Sequence, residues 1–317
     1  MPDTRRAIAL SALLVFTPVA LAAPWRVLDA TPAPGIAAHS LRALAPAIVR
    51  ATGTEPAFVP REDGAAVAAD VAAGKADLGA FALRLLEADE PALGMARVPF
   101  LATSFVDASK LWQVLRPRVE QALAARGMTL LYAVPSPPLA PLSRVALTSM
   151  AAWRGVKLLL PEPGLGALAR VLGTQPVSGA SPRAELGASR AQAVFAAADS
   201  AARDKAWEYA GHYLHAPAWF PLHVVAVNRG ALMALDGARR DALLSAADAA
   251  EASAWTQAQR GTEDAVQMLR DYGIKTAQTP VNLLIQLEAL GRELLFHWSE
   301  GAGEAGAELV EAYYAIR

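Results

Sequence analysis

The sequence predicts an α/β protein of two lobes braced by one long helix, and three observations carry that expectation. Short apolar runs alternate with alanine-rich stretches of helical period, the pattern of a mainly parallel sheet with helices on both faces. Residues 135–142 read Pro-Ser-Pro-Pro-Leu-Ala-Pro-Leu. Proline at this density fixes φ repeatedly and removes donors, so the stretch reads as a crossover through which neither helix nor central strand continues. Finally, a helical pattern opens at Asp236-Gly237 and runs to Tyr272, interrupted only by Gly261 and stopped by Gly273. At ~1.5 Å per residue it would reach on the order of 50 Å, long enough to brace two lobes.

In chain order, Trp25–Leu28 is a first strand. Pro34-Gly35 opens a helix with Leu41, Leu44, Ile48 and Val49 at helical spacing, ended by Gly53. Pro56–Val59 is a second strand, Ala65–Ala73 a helix closed by Gly74, and a third strand begins in Ala76-Asp77-Leu78-Gly79-Ala80. A helix over about Val106–Arg126 stops at Gly127, and Leu130–Val134 follows as a strand. Beyond the crossover come a strand (Val156–Leu160), a helix (Gly164–Leu172), a further helix (Glu185–Phe195) and a strand (Val224–Val227) running into Asn228. The expected lobes are 23–142 with 220–262, and 143–219 with 263–317.

At 317 residues the chain is long enough for two domains. Lys+Arg 29 against Asp+Glu 30 leaves no basic excess to track a phosphate backbone, so nucleic acid is not expected as a partner. Hydrophobic residues reach 54%, but much of this is alanine and aromatics are only 7%, which argues against a multi-span membrane protein. The absence of cysteine removes disulfides, thiolate metal sites and cysteine nucleophiles together.

The first residues read as a secretory signal. Arg5 and Arg6 precede an uncharged run from Ala7 to Pro24 with an apolar centre at Leu10, Leu13, Leu14, Val15 and Phe16, and Ala20-Leu21-Ala22 supplies a small-x-small cleavage pattern. Residues 1–22 are therefore expected to be removed after Ala22, leaving the mature chain in the periplasm or outside the cell. An exported pair of α/β lobes with a crossover suggests a cleft that closes by hinge motion on a ligand.

Several strings sharpen this. In order, they are Ala73-Gly74-Lys75-Ala76-Asp77-Leu78-Gly79, Val98-Pro99-Phe100-Leu101-Ala102, Gly127-Met128-Thr129-Leu130-Leu131-Tyr132, Trp153-Arg154-Gly155-Val156-Lys157 followed by Pro161, Gly173-Thr174-Gln175-Pro176-Val177, and Ala218-Trp219-Phe220-Pro221 leading to Val224-Val225-Ala226-Val227-Asn228. Over nearly the whole mature chain the sequence resembles the DctP-like solute-binding subunits of tripartite ATP-independent periplasmic (TRAP) transporters. The resemblance implies a two-lobed periplasmic binding protein fold with a long helix spanning both lobes. It also implies a small-molecule ligand held between the lobes and delivery to integral-membrane permease subunits. No cofactor is implied, and a monomer is expected.

The resemblance also exposes a departure. Relatives generally carry an arginine in the strand after the crossover, whose planar fork takes a ligand carboxylate in two parallel hydrogen bonds. Here the segment is Gly155-Val156-Lys157-Leu158-Leu159-Leu160-Pro161, with Leu159 in the arginine slot. Leu139 stands where relatives often have Arg or Gln, and Ser136 where an aromatic is common. A charge-assisted hydrogen bond contributes about 1.5–3 kcal/mol, so two such losses would lower affinity for an ordinary organic acid by orders of magnitude. Three readings follow: a cation relocated to Lys157, Arg144, Arg203 or Lys205, a neutral or more apolar ligand, or a receptor without transport function.

The remaining site candidates each have a plain alternative. Trp219 either stacks on ligand or fills the hinge. Asn228 either reaches the cleft or caps the following turn. Asp199 either accepts from a polyol or amine or sits in a surface turn. His212 and His215, on an expected helix after Glu208 and before His223, would share a face suited to a metal, although solvated helix histidines are commoner and no metal site is expected. No nucleophile elbow, P-loop, dinucleotide fingerprint or paired-histidine metalloprotease string occurs, so an enzyme is not expected. The competing classes are a binding module that presents its ligand to a sensor and, less favoured, an exported hydrolase.

Overall fold

The computed structural model describes residues 23–31, 35–160 and 166–316. The expected signal and its cleavage point lie outside these, as do Pro34 and Gly164, where two helices were expected to open. In chain order the strands are β1 (Arg26–Asp29), β2 (Ala57–Pro60), β3 (Leu78–Ala82), β4 (Met128–Pro135), β5 (Leu139–Ser143), β6 (Lys157–Leu159), β7 (Gln175–Val177), β8 (Ala193–Ala197), β9 (His212–His215), β10 (Leu222–Asn228) and β11 (Lys275–Gln278). They form a five-stranded sheet in the order β2-β1-β3-β10-β4 and a six-stranded sheet in the order β11-β9-β5-β8-β6-β7.

The central strands of each sheet are apolar on both sides of the pleat and are covered on both faces. Along β10, Val225 and Val227 point into one core layer with Leu41, Ile48 and Leu243, while Val224 and Ala226 point into the other with Leu115, Val119 and Leu295. The second sheet repeats the arrangement. Leu158 packs with Trp153 and Phe195 on one face, and Leu159 with Val194 and Leu269 on the other. Fully burying one such aliphatic side chain contributes about 1.5–3 kcal/mol.

The chain passes directly from a strand of one sheet to a strand of the other twice, from β4 to β5 and from β9 to β10. The two passages are hydrogen-bonded to each other: Ser136 N–H donates to the Pro221 carbonyl (2.7 Å), Leu139 N–H to that of Trp219 (3.0 Å), and Ala218 N–H to that of Leu139 (2.8 Å). The long helix Gly237–Asp271, capped by the Asp236 side chain on Arg239 N–H, spans both lobes as expected and runs unbroken through Gly261. Leu243 and Ala247 of its first half lie in the first lobe's core, and Ala265, Val266 and Leu269 of its second half lie in the second lobe's.

Its attachment to the first lobe is polar as well as apolar. Glu251 Oε1 accepts from the Trp112 indole (2.8 Å) and from Ala133 N–H (3.0 Å), while Oε2 accepts from Arg116 (2.6 Å). β4 is the sheet's edge strand, so a carboxylate here caps an N–H that has no strand partner.

Several sequence expectations are corrected. The proline-rich crossover does become an interior strand, β5. Leu139 N–H and the Ser143 carbonyl both bond on the side away from β8, so alternation places the Pro141 nitrogen on that side too, and no β8 ladder bond is lost. The chain thus changes sheets between residues 135 and 139, before the expected boundary at 142.

Glu185–Phe195 is not one helix. A helix covers Pro182–Gly187, Ser189 adopts a positive φ of 60°, and Val194 and Phe195 enter β8. His212 and His215 lie on β9 rather than a helix, so residues three apart fall on opposite sides of the strand. The first helical stretch is two helices, Ile36–Ala43 and Ala45–Thr52, because Pro46 has no N–H to continue the first. The last helix, Val281–Ile316, kinked at Gly303, was expected wholly within the second lobe. Leu283 and Leu287 do pack there, but Leu294, Leu295, Leu309 and Tyr313 lie in the first lobe's core.

Candidate functional site

The carboxyl ends of β3 and β8 and the two hydrogen-bonded passages converge on one region, the place where open α/β sheets leave a crevice. Two cavities occupy it. The first, about 300 Å³, lies between the first lobe (Ala30, Leu83, Arg84, Arg97) and the passages (Leu139, Trp219). The second, about 220 Å³, lies between Ile36 of the first lobe and Ala197, Asp199 and Arg203 of the second, with Ser136 at the passage. Leu139, Pro221 and His223 line both and form the partition between them. Each is at or below the small end of ligand sites, which admits a small solute only.

The first cavity is walled mainly by apolar groups, and its charges are unevenly matched. Arg97 is paired with Glu87 at 3.2 Å. Arg84, in the turn Leu83–Leu86 directly after β3, has no carboxylate partner among the described residues and is exposed. Trp219, 7% exposed, forms part of the wall and also tilts against Phe195 at a ring separation of 6.0 Å. It therefore fills the hinge and faces the cavity at once. Phe195 stacks in turn on Trp153 at 5.8 Å, so this wall is backed by packed aromatic rings.

His223 is the central polar group. Its Nδ1 lies 3.2 Å from Ser136 Oγ, and burial pushes its pKa down to about 4, aided by the Arg84 charge and opposed by Asp29. The imidazole is neutral at pH 7 and works as a hydrogen-bonding group rather than a cation. Asp29 is itself satisfied at Oδ1 by Thr31 N–H (2.9 Å) and Thr31 Oγ (2.5 Å). In the second cavity Asp199 Oδ2 takes Arg203 at 2.7 Å and Asp199 Oδ1 takes Ser200 N–H at 2.7 Å, so the two charges there are mutually compensated.

The site residues expected from sequence are divided by this geometry. Leu139, Trp219, Ser136 and Asp199 come together around the cavities. Leu159 does not line either one. It is 3% exposed in the second lobe's core and pairs in register with Val194, three residues before Ala197, which puts it about 10 Å short of the cavity along the strand. Asn228 stands at the far end of β10 from His223, where its side chain accepts from Ala231 N–H (3.1 Å) and donates to the Val71 carbonyl (2.8 Å). It is a helix cap.

Of the cations considered for relocation, only Arg203 reaches a cleft cavity. Arg144 donates to the Leu186 carbonyl and Ser189 Oγ, and Lys157 is exposed at the start of β6. Arg84 and His223 were missed as site residues. For Arg84 the available signal was its position just past the carboxyl end of a parallel strand.

The chain matches no family model and no curated protein. Among solved structures it is similar to the Bordetella pertussis extracytoplasmic solute receptor DctP7, which binds pyroglutamic acid. The TM-score is 0.78 at 25% identity, over 92% of this chain and 100% of that one. The chain has the fold of the TRAP solute receptors. A second neighbour, a marine metagenome TRAP solute-binding protein specific for pyroglutamate, gives a TM-score of 0.76 at 25% identity over 93% of this chain and 99% of that one. A TRAP periplasmic solute-binding protein from Rhodobacter sphaeroides, in an open apo form, gives 0.83 at 15% identity over 93% and 99%. The two passages connect the lobes, and the helix Gly237–Asp271 lies across both as a ridge. No helix among the described residues is long and apolar enough to cross a membrane.

Proposed function

We propose that the chain is the periplasmic solute receptor of a TRAP-type transporter, which captures one small organic solute between its lobes by hinge closure and delivers it to membrane permease subunits. The observation that carries this reading is the pair of cavities meeting at Leu139, Pro221 and His223, where the two passages between the lobes are bonded together. Hinge motion there would change the shape of both cavities while leaving each sheet intact, so a ligand touching both lobes favours the closed state by its differential affinity. The site holds and releases its ligand, and nothing is chemically transformed. The neighbours binding pyroglutamate make that small cyclic acid a natural first probe. Export with processing after Ala22, a periplasmic location and a monomeric state belong to the same proposal.

The test is a thermal-shift screen of the chain from Ala23 onward with organic acids, their neutral amides, polyols and aromatic compounds. A ligand selective for the folded state raises the melting temperature by mass action. A saturable shift for one compound class, accompanied by a compact, closed form in small-angle scattering, supports the receptor reading. Absence of any shift, with no solute co-purifying from the periplasm, would overturn it. Mass spectrometry of the exported chain beginning at Ala23, and its mass in solution, check the remaining points.

A further inference from the structure

We infer that the anion anchor of this receptor is Arg84 in the first lobe, and that the first cavity takes a small monocarboxylate with a compact, largely apolar body. The inference deepens the receptor reading and rests on it. Four observations lead to it. Arg84 lines the cavity and is without a carboxylate partner among the described residues, whereas the other cleft-lining arginines, Arg97 and Arg203, are engaged by Glu87 and Asp199. Among the arginines lining the two cavities Arg84 alone carries no ion pair in the described residues, at a cavity that also has Glu87 in its lining and whose remaining wall is mainly Ala30, Leu83, Leu139, Trp219, Phe220 and Leu222.

Leu159, where the resemblance implied an arginine, is closed into the second lobe's core and supplies nothing to the cavity. The partition residue His223 is held neutral by burial, so it adds no second cation and offers a hydrogen bond to a carbonyl or hydroxyl on the same ligand. A planar guanidinium takes a carboxylate in two parallel hydrogen bonds, and the apolar wall excludes water from them. A cavity of about 300 Å³ limits the body to a small ring or short chain. A dicarboxylate would leave its second charge against apolar wall, which disfavours it.

The experiment uses matched pairs that differ only in charge: pyroglutamate, pyruvate, lactate and benzoate, each beside its primary amide, titrated calorimetrically into the wild-type chain and the Arg84→Gln, Arg84→Lys and Arg203→Gln variants. The expected result is that at least one acid binds the wild type and its amide binds ten times more weakly or worse. Arg84→Gln should weaken the acid by about 10–100-fold while leaving the amide unchanged. Arg84→Lys should recover part of that loss, and Arg203→Gln should weaken the acid far less than Arg84→Gln does. Retention of the amide by Arg84→Gln also shows that this variant is folded.

The inference is overturned if Arg84→Gln binds the acid as the wild type does, if Arg203→Gln is the damaging change, or if acid and amide bind equally. Neutral compounds binding while no acid does would sink the inference but leave the receptor reading standing. Failure of every compound in the pairs and in the wider thermal screen would remove both.

Discussion

Leu139 and Trp219 are joined across the two passages between the lobes, with the Leu139 N–H on the Trp219 carbonyl at 3.0 Å and both side chains on the wall of the first cavity. The bridge between the passages and the cavity wall are thus built from the same two residues, so a change of side chain there alters the cavity without cutting the backbone bridge. Leu159, on the next strand but one, has no share in that surface. Leu139→Ala is therefore expected to change ligand affinity several-fold at a modest stability cost, and Leu159→Ala to lower stability by about 2–4 kcal/mol with affinity retained. Denaturant melts and calorimetry of both variants check the separation, and the reverse pattern would refute it.

The buried imidazole of His223 sets an acid limit on stability. Its pKa falls to about 4 in the folded chain against about 6.5 when unfolded, so between those values the unfolded chain takes up a proton that the folded one refuses. The contribution is complete above pH 6.5 and is lost as pH falls toward 4, by on the order of 3 kcal/mol at most. Urea unfolding of wild type and His223→Asn at pH 7, 5.5 and 4.5 should show the wild type losing more stability with acidification. Parallel losses in the two proteins would disprove this assignment.

Glu251 gathers three donors from two elements of the first lobe and fixes the ridge helix to them. Its side chain is only 13% exposed, so Glu251→Ala leaves the Trp112 indole, the Arg116 guanidinium and an edge-strand N–H short of an acceptor. A loss of about 2–4 kcal/mol is expected, with Glu251→Gln losing less because an acceptor oxygen remains. Thermal melts rank the three proteins, and an unchanged melting temperature for the alanine variant would contradict the role.

Gly291 on the last helix is required by close approach rather than by its own dihedral angles. A Cβ there would lie 2.6 Å from the carbonyl oxygen of Phe100, whose backbone already holds a positive φ of 59°. Gly291→Ala must push the helix off that loop, at about 1–3 kcal/mol. A melting temperature equal to the wild type's would show that the contact is not tight in solution.

The α/β class, most strand positions and the ridge helix follow from the sequence because they rest on local period. Apolar runs bounded by glycine become buried strands, and Asp236 to Tyr272 keeps one helical register wherever it packs. The same local reading failed where a partner strand changed the outcome. Pro141 enters an interior strand because its nitrogen points away from β8, and His212 and His215 became a strand by pairing with β11. The resemblance located Leu139, Ser136, Trp219 and Asp199 near the cleft, since sequence order fixes which residues lie at the passages.

Tertiary structure alone decided that Leu159 is core and Asn228 a cap. It likewise placed Arg84, without a carboxylate partner among the described residues, and His223, neutral, on the wall of the first cavity. Charge pairing, burial and depth along a strand depend on what lies across the cleft, and no run of neighbouring residues in the chain encodes them.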